Sequence, residues 1–400
     1  MPCLVPTNHL PLWECRAEED KDKEDEIVAR DDELVDINST RISPLLNIPF
    51  DILKIIMELC VGVEYLNFRA TCKQCKLTTP VIRWSNETSL RRLQTYSLPS
   101  PWLMVFDTHR DIITFTDPMF GDKYFMKTPQ ELIGDLRIHS SGYGWLLVYN
   151  LSHTPLSLML FNPFTNDIRK LPPSGYIKSI CFSAPPTSSD CMVAGFVSKS
   201  IFAVRFHFVN QSPDWDGFNV DFDEINPRSI SFPTLYGRDV YVLEAGGRLD
   251  VYKIMEEDGS FWEVVAEAPG GCPSAAKCFL VKCEEHRLLL VRMDEYGESV
   301  EVFKLNQTTQ EWERVDGLGR HMIYICDTAC LCMEAKTPEM ENKIYFPQLH
   351  SKNGKIVFYS LETCRYHTFN DRKLEEESLV DFLGTKSILS HHAWIEPSWC

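Results

Sequence analysis

The sequence predicts a mainly β protein: a small three-helix unit followed by a β-propeller of about six blades. Three observations carry that expectation. Short apolar runs bounded by turn residues fill the chain from about residue 97 onward, and segments of similar order recur about every 50 residues. The helix-period patterns are confined to residues 44–86.

Residues 14–36 carry twelve acidic and four basic side chains, a net of −8 out of the whole chain's −17. A stretch so charged and so poor in aromatics buries too little apolar surface to offset its ordering entropy. Residues 1–40 are therefore expected to form a disordered acidic arm, either a solubilising tail or a contact for a basic partner.

The helical unit is expected over 44–86. Asn47 reads as an N-cap and Pro49 as an early helical position, where a missing N–H costs nothing. Ile52, Ile55, Ile56 and Leu59 then recur at helical spacing, while Leu53, Met57 and Cys60 widen the apolar surface beyond one stripe. Gly62 ends this pattern. A second runs from Val63 to about Cys75, and Val81, Ile82 and Trp84 after Pro80 suggest a third short helix. Forty residues this greasy cannot bury all their aliphatic groups by themselves. They pack on the rest of the chain or on a partner.

The order Ile48-Pro49, Asp51-Ile52-Leu53, Ile56, Leu59, then Leu66, Phe68-Arg69 and Thr71-Cys72-Lys73 resembles the F-box. The likeness covers about a tenth of the chain. Phe50 stands where an acidic residue is common, and Cys75 where the family usually has Trp. The resemblance implies that Ile48, Pro49, Ile52, Leu53, Ile56, Leu59, Leu66, Phe68 and Cys72 bind a Skp-type adaptor. Through it the chain would reach a cullin.

The body, 97–396, reads as strands. Trp102–Phe106, Trp145–Tyr149, Phe202–Phe208, Val240–Leu243, Leu288–Val291 and Lys355–Tyr359 are short, aromatic or β-branched, and followed at once by Gly, Asn, Asp or Pro. Four segments repeat one order of strand, turn, strand and turn. Their anchors Tyr252, Phe303 and Tyr359 lie 51 and 56 residues apart. A period of ~50 is that of stacked four-stranded blades, and 300 positions hold about six. A lone blade has two open edges and a naked apolar face, so the ring must close. Ala393-Trp394-Ile395 is expected to pair into the blade begun by Trp102.

Within this body, VYVLEAGGRLDVYKIMEEDGSFW resembles a kelch repeat through the paired Gly246 and Gly247, then Tyr252 and Trp262. An F-box before such a body is similar to plant F-box/kelch proteins and their relatives with a KIB-type propeller. That resemblance implies a substrate-recognition subunit of an SCF-type cullin-based ubiquitin ligase, without catalytic residues. Its partners would be the Skp-type adaptor, cullin and an unknown protein substrate. Two alternatives stay open: a propeller scaffold that recruits no ligase, and a propeller hydrolase or lyase.

A chain with 40 Lys and Arg against 57 Asp and Glu is not built to bind nucleic acid or an anionic membrane by bulk charge. No apolar run reaches the ~18 residues of a membrane span, and the first residues lack a secretory pattern. The expected location is cytoplasm or nucleus, with the 15 cysteines reduced. Cys72 and Cys75 have no companion pair at zinc spacing. Cys326, Cys330 and Cys332 near His321 read as core thiols. There is no phosphate loop, nucleophile elbow or metalloprotease motif, and no cofactor or metal is expected. For the substrate, the loop Asn210–Gly217 is the expected contact, with Trp215 as an exposed anchor between Asp214 and Asp216.

Overall fold

A computed structural model describes residues 48–59, 73–78, 100–118, 123–153, 155–198, 202–220, 231–244, 247–254, 261–270, 276–283, 287–294, 297–327, 329–335, 338–349, 356–368, 391–396 and 398. The acidic arm, the end of the first helical pattern at Gly62, the third helix and Leu66, Phe68, Cys72 and Gly246 lie outside them. The described helices and strands fall into two compact units.

In the first unit, α1 (Phe50–Leu59) and α2 (Lys73–Thr78) pack on each other. Helix α1 starts when the Pro49 carbonyl accepts from the amides of Ile52 and Leu53, at 3.0 and 3.1 Å. Pro49 thus stands just outside the helix, where its missing N–H is not needed. Leu53 of α1 and Cys75 of α2 are fully buried.

The second unit is a ring of sheets. Its first blade takes β1 (Trp102–Asp107), β2 (Ile112–Thr116) and β3 (Lys123–Lys127). The second has β4 (Leu136–Gly142), β5 (Trp145–Asn150), β6 (Ser157–Asn162) and β7 (Asp167–Lys170). The third has β8 (Ser179–Phe182), β9 (Met192–Ser198), β10 (Phe202–Phe208) and β11 (Asp216–Val220). The fourth has β12 (Ser231–Tyr236), β13 (Asp239–Leu243), β14 (Leu249–Lys253) and β15 (Phe261–Ala266). The fifth has β16 (Lys277–Cys283), β17 (Arg287–Met293), β18 (Val300–Asn306) and β19 (Glu311–Val315). The sixth has β20 (His321–Tyr324), β21 (Leu331–Glu334), β22 (Lys343–Leu349), β23 (Ile356–Ser360) and β24 (Arg365–Thr368). The last strand, β25 (His392–Ile395), returns to the first blade.

The second to fifth blades are antiparallel meanders, while in the sixth β20 pairs antiparallel with β21 and parallel with β22, and the six runs expected from the sequence fall in β1, β5, β10, β13, β17 and β23. Blades five and six are joined into one nine-stranded sheet by a single parallel pairing, Lys282 with Leu331. The inner strands touch in the cycle β25, β4, β8, β12, β16, β21, and β22 meets β25. The ring is closed and has six blades.

Burial explains the apolar runs. Strands β5 and β23 are buried at every position, whereas the outer β7 and β19 are mostly exposed. A middle strand with a neighbouring blade on each face has no polar side, so alternation gives way to continuous hydrophobicity. The core is therefore divided among the seams. Leu147 and Tyr149 meet Ile180 and Val193 between blades two and three; Phe206 meets Val240 and Tyr252 between three and four. Phe303 packs with Leu249, and Val302 with Ile344, at the next two seams. Trp102 and Phe115 pack edgewise and tilted on Phe164 between one and two.

The expected closure is present. β25 pairs antiparallel with β1, placing Trp102 opposite Ile395, Leu103 opposite Trp394 and Met104 opposite Ala393. Trp394 is fully buried; its indole N–H donates to the Ile325 carbonyl at 2.9 Å and its ring stands edge-on to Tyr324. One side chain thus ties the first blade to the sixth. Just beyond, the Ser398 carbonyl accepts from Asn162 Nδ2 of the second blade.

The expectation of fully reduced cysteines is corrected: Cys283 and Cys332 are joined by a disulfide. Each follows a residue of the Lys282–Leu331 pair, so the parallel register sets them side by side, with Cα atoms 5.1 Å apart. Cys326 and Cys330 are not disulfide-bonded.

Candidate functional site

At the centre of the ring lies a cavity of about 320 Å³. Every blade reaches it. The second contributes Ser140–Tyr143, the third Cys181 and Phe182, the fourth Phe232–Leu235, the fifth Leu280, Lys282 and Cys283, the sixth Ala329–Cys332, and the first Glu396. The ends of β4, β8 and β16 and the residue after β25 meet here because inner strands line the axis of any propeller. A second cavity of about 330 Å³ adjoins it between blades three and four, sharing Leu235 and Lys282 and including Asp190, Gln211 and Arg238.

Lys282 is the cation of the central cavity. Its ammonium donates to the Leu235 carbonyl at 2.8 Å and lies 4.5 Å from the centre of the Tyr236 ring. Burial holds its pKa below the usual lysine value, an effect partly offset by Cys181. The free thiols on the wall, Cys181 and Cys330, are pushed far up by burial. They stand as neutral thiols, and no histidine is among the described residues that line the cavity. The wall holds groups suited to binding, with neither a thiolate nor an imidazole base.

The helical unit presents a different surface. Phe50, Ile52 and Ile55 on α1 are 52%, 46% and 52% exposed, Pro49 is exposed, and Ile48 and Ile56 are half-buried. Leu53 is at 0%. The expectation that Leu53 inserts into an adaptor is corrected: its side chain is already sealed. Ile52 and Ile55, one turn apart, share one exposed face, and Phe50 is exposed at the first position of the helix. Sequence reading could not separate inward from outward because apolar residues ring the helix.

The kelch-like stretch lies in the fourth blade. Gly247 has φ +100°, and a Cβ there would stand 3.2 Å from Leu290 and 3.3 Å from Pro269. Its carbonyl accepts from the Trp312 indole of the fifth blade at 3.2 Å. Tyr252 and Trp262 are register partners in β14 and β15. The Trp262 indole donates to Asp250, which is fully buried and held by two bonds from Arg248 at 3.1 and 2.9 Å; Arg248 also pairs with Glu244. Asp250 in β14 and Arg248 just before that strand were not singled out in the sequence.

The loop Asn210–Gly217 differs from expectation. Trp215 is half-buried: its indole donates to the Pro172 carbonyl of the second blade at 2.8 Å, and its ring packs on His207. The indole is a fastener between blades two and three, not an exposed anchor. Asp214 and Asp216 are exposed, with the Asp214 carbonyl 3.0 Å from His207 Nδ1 and Asp216 paired to Phe206.

One unit is thus a closed propeller with a cavity at its axis, and the other a helical unit with exposed apolar side chains on α1. The KIB1-4 beta-propeller family profile matches residues 91–361, and the chain belongs to that family. An F-box/kelch-repeat protein of Arabidopsis thaliana is 30% identical over 313 residues, 74% of this chain and 82% of its own length. An F-box protein of the same plant is 23% identical over 340 residues, covering 80% and 81%. The protein is thus of the plant F-box/kelch type. Among solved structures, TolB from Acinetobacter baumannii matches with a TM-score of 0.41 and 8% identity, over 70% of this chain and 66% of its own.

Proposed function

We propose that this protein is the substrate-recognition subunit of an SCF-type cullin-based ubiquitin ligase, working in cytoplasm or nucleus. The F-box docks a Skp-type adaptor and the propeller holds the target. The chain supplies position and no bond-making group. Tethering converts ubiquitin transfer from a chance encounter into a reaction at high effective concentration.

The observation that carries the reading is the exposed pair Ile52 and Ile55, one turn apart on α1. Large aliphatic side chains at helical spacing, left in water, suit a helix laid in an apolar groove. Each such group buried on docking contributes roughly 1.5–3 kcal/mol, so Ile52→Ala with Ile55→Ala should weaken adaptor capture by about a hundredfold or more. Both positions are exposed, so the variant should melt like the parent. Undiminished capture of purified adaptor by that variant in a pull-down would overturn the assignment. Leu53→Ala is unsuitable, because loss of a buried leucine perturbs the helical unit itself.

A further inference from the structure

We infer that the central cavity of the propeller is a subsite for the carboxylate side chain of an extended acidic peptide, with Lys282 as its counter-ion. This rests on the reading of the propeller as the target-binding part of the molecule.

The charge comes first. Lys282 is half-buried between two cavities, and no carboxylate pairs with it among the described residues; the Leu235 carbonyl takes one of its three N–H donors. In a chain of net charge −17, with acids in excess, a half-buried lysine without an acid partner among the described residues is conspicuous. The remaining donors point to an external acceptor. In the wall of the same cavity, Ser141 is 8% exposed and its hydroxyl has no hydrogen-bond partner among the described residues. A buried hydroxyl without a partner is unfavourable until something accepts or donates there. A carboxylate offers two oxygens and so an acceptor for each group.

Backbone strain falls at the same place. Seven described non-glycine residues have left-handed φ, and the two aromatic ones, Tyr143 at 55° and Phe232 at 50°, both line this cavity. Bulky side chains are disfavoured in that region, and such strain collects where surrounding structure holds a residue for function. Tyr143 is 40% exposed at the wall, with its ring edge toward Phe182. That is an aromatic surface beside the cation, suited to the stem of a bound side chain.

The dimensions and charge narrow the ligand. About 320 Å³ is at the small end of ligand pockets, room for one or two side chains. The adjoining cavity, with Arg238 in its wall, gives the chain on either side of the carboxylate somewhere to run. Recognition of a phosphate dianion uses clustered arginines. Among the described residues, the central wall has one lysine, no arginine and the acidic Glu396, which favours a single negative charge.

The test is selection of random dodecapeptides by display on the purified full chain, followed by affinity measurement on one winner and its amide analogue. Enriched peptides should share Asp or Glu at one position. Replacing that carboxylate by the amide should weaken binding to the parent at least about tenfold, the size of one charge-assisted hydrogen bond. Lys282→Met, which keeps an aliphatic stem over Tyr236, should lose the same factor and no longer distinguish the two peptides. Tyr143→Asn suits the left-handed turn better, so it should melt no lower than the parent yet bind the peptide more weakly. No shared acidic position, a requirement for phosphorylation, or equal affinity for peptide and amide on the parent would each overturn the proposal. Adaptor capture by the same proteins separates the two readings: a chain that selects acidic peptides but captures no adaptor defeats the ligase assignment and leaves this one intact.

Discussion

His139 shows how a single side chain records its surroundings. Its ring is wedged edge-on against Tyr149 and lies 6.1 Å from Tyr176, and burial, reinforced by Arg137, lowers its pKa from 6.5 to about 4. The folded protein therefore favours the neutral imidazole while the unfolded chain protonates near 6.5. The stabilisation is complete above that pH and is lost as pH falls from 6.5 toward 4. His392 shifts the same way, through burial and then His391. Thermal melts should drop across this window, and His139→Gln should shallow the drop; an identical slope in both proteins would show that His139 carries none of it. Little of this was legible in the sequence. A histidine between Ile138 and Ser140 looks like any polar strand position, because its depth is set by blades two and three meeting. Lys282 was hidden for the same reason: within KCFLVKC it reads as an outward lysine until six inner strands are brought around one axis.

Among the elements, β25 has the most to hold. Trp394 fills the seam between blades one and six and completes a buried hydrogen bond to Ile325. Trp394→Ala should cost about 3–5 kcal/mol, the usual loss for a large buried aromatic. Urea denaturation measures it, and a change below about 1 kcal/mol would mean the ring is fastened elsewhere. Strands were the readable part of this protein. Middle strands sandwiched between blades must be continuously apolar, and the chain must turn about every ten residues, so β1, β5, β13, β17 and β23 announced themselves. Even the pairing of β25 with β1 was legible, since a ring needs a closing strand and Ala393-Trp394-Ile395 supplied one. The helices were harder. In α1 apolar groups occur on every side, so Leu53 and Ile52 looked equivalent although one is core and the other surface. In the Asn210–Gly217 loop, a tryptophan amid turn residues gave no sign that Pro172 would receive its N–H.

For the molecule as a whole, two long-range ties complete the ring, one of them covalent. The Cys283–Cys332 disulfide joins adjacent inner strands of blades five and six across a separation of 49 residues. A loop of that size confers up to about 4 kcal/mol by restricting the unfolded chain, although measured gains are often smaller. Addition of dithiothreitol should thus lower the melting temperature by several degrees in the parent and leave Cys283→Ser with Cys332→Ser unmoved; a parent indifferent to the reductant would remove the bond's role in stability. The non-covalent tie has a consequence in time. The strand opposite Trp102 carries Ile395, so the first blade to leave the ribosome waits for nearly three hundred further residues before its innermost neighbour exists. Throughout translation it offers a bare strand edge to any other nascent chain, which makes this protein a natural client for chaperones that shield unpaired edges.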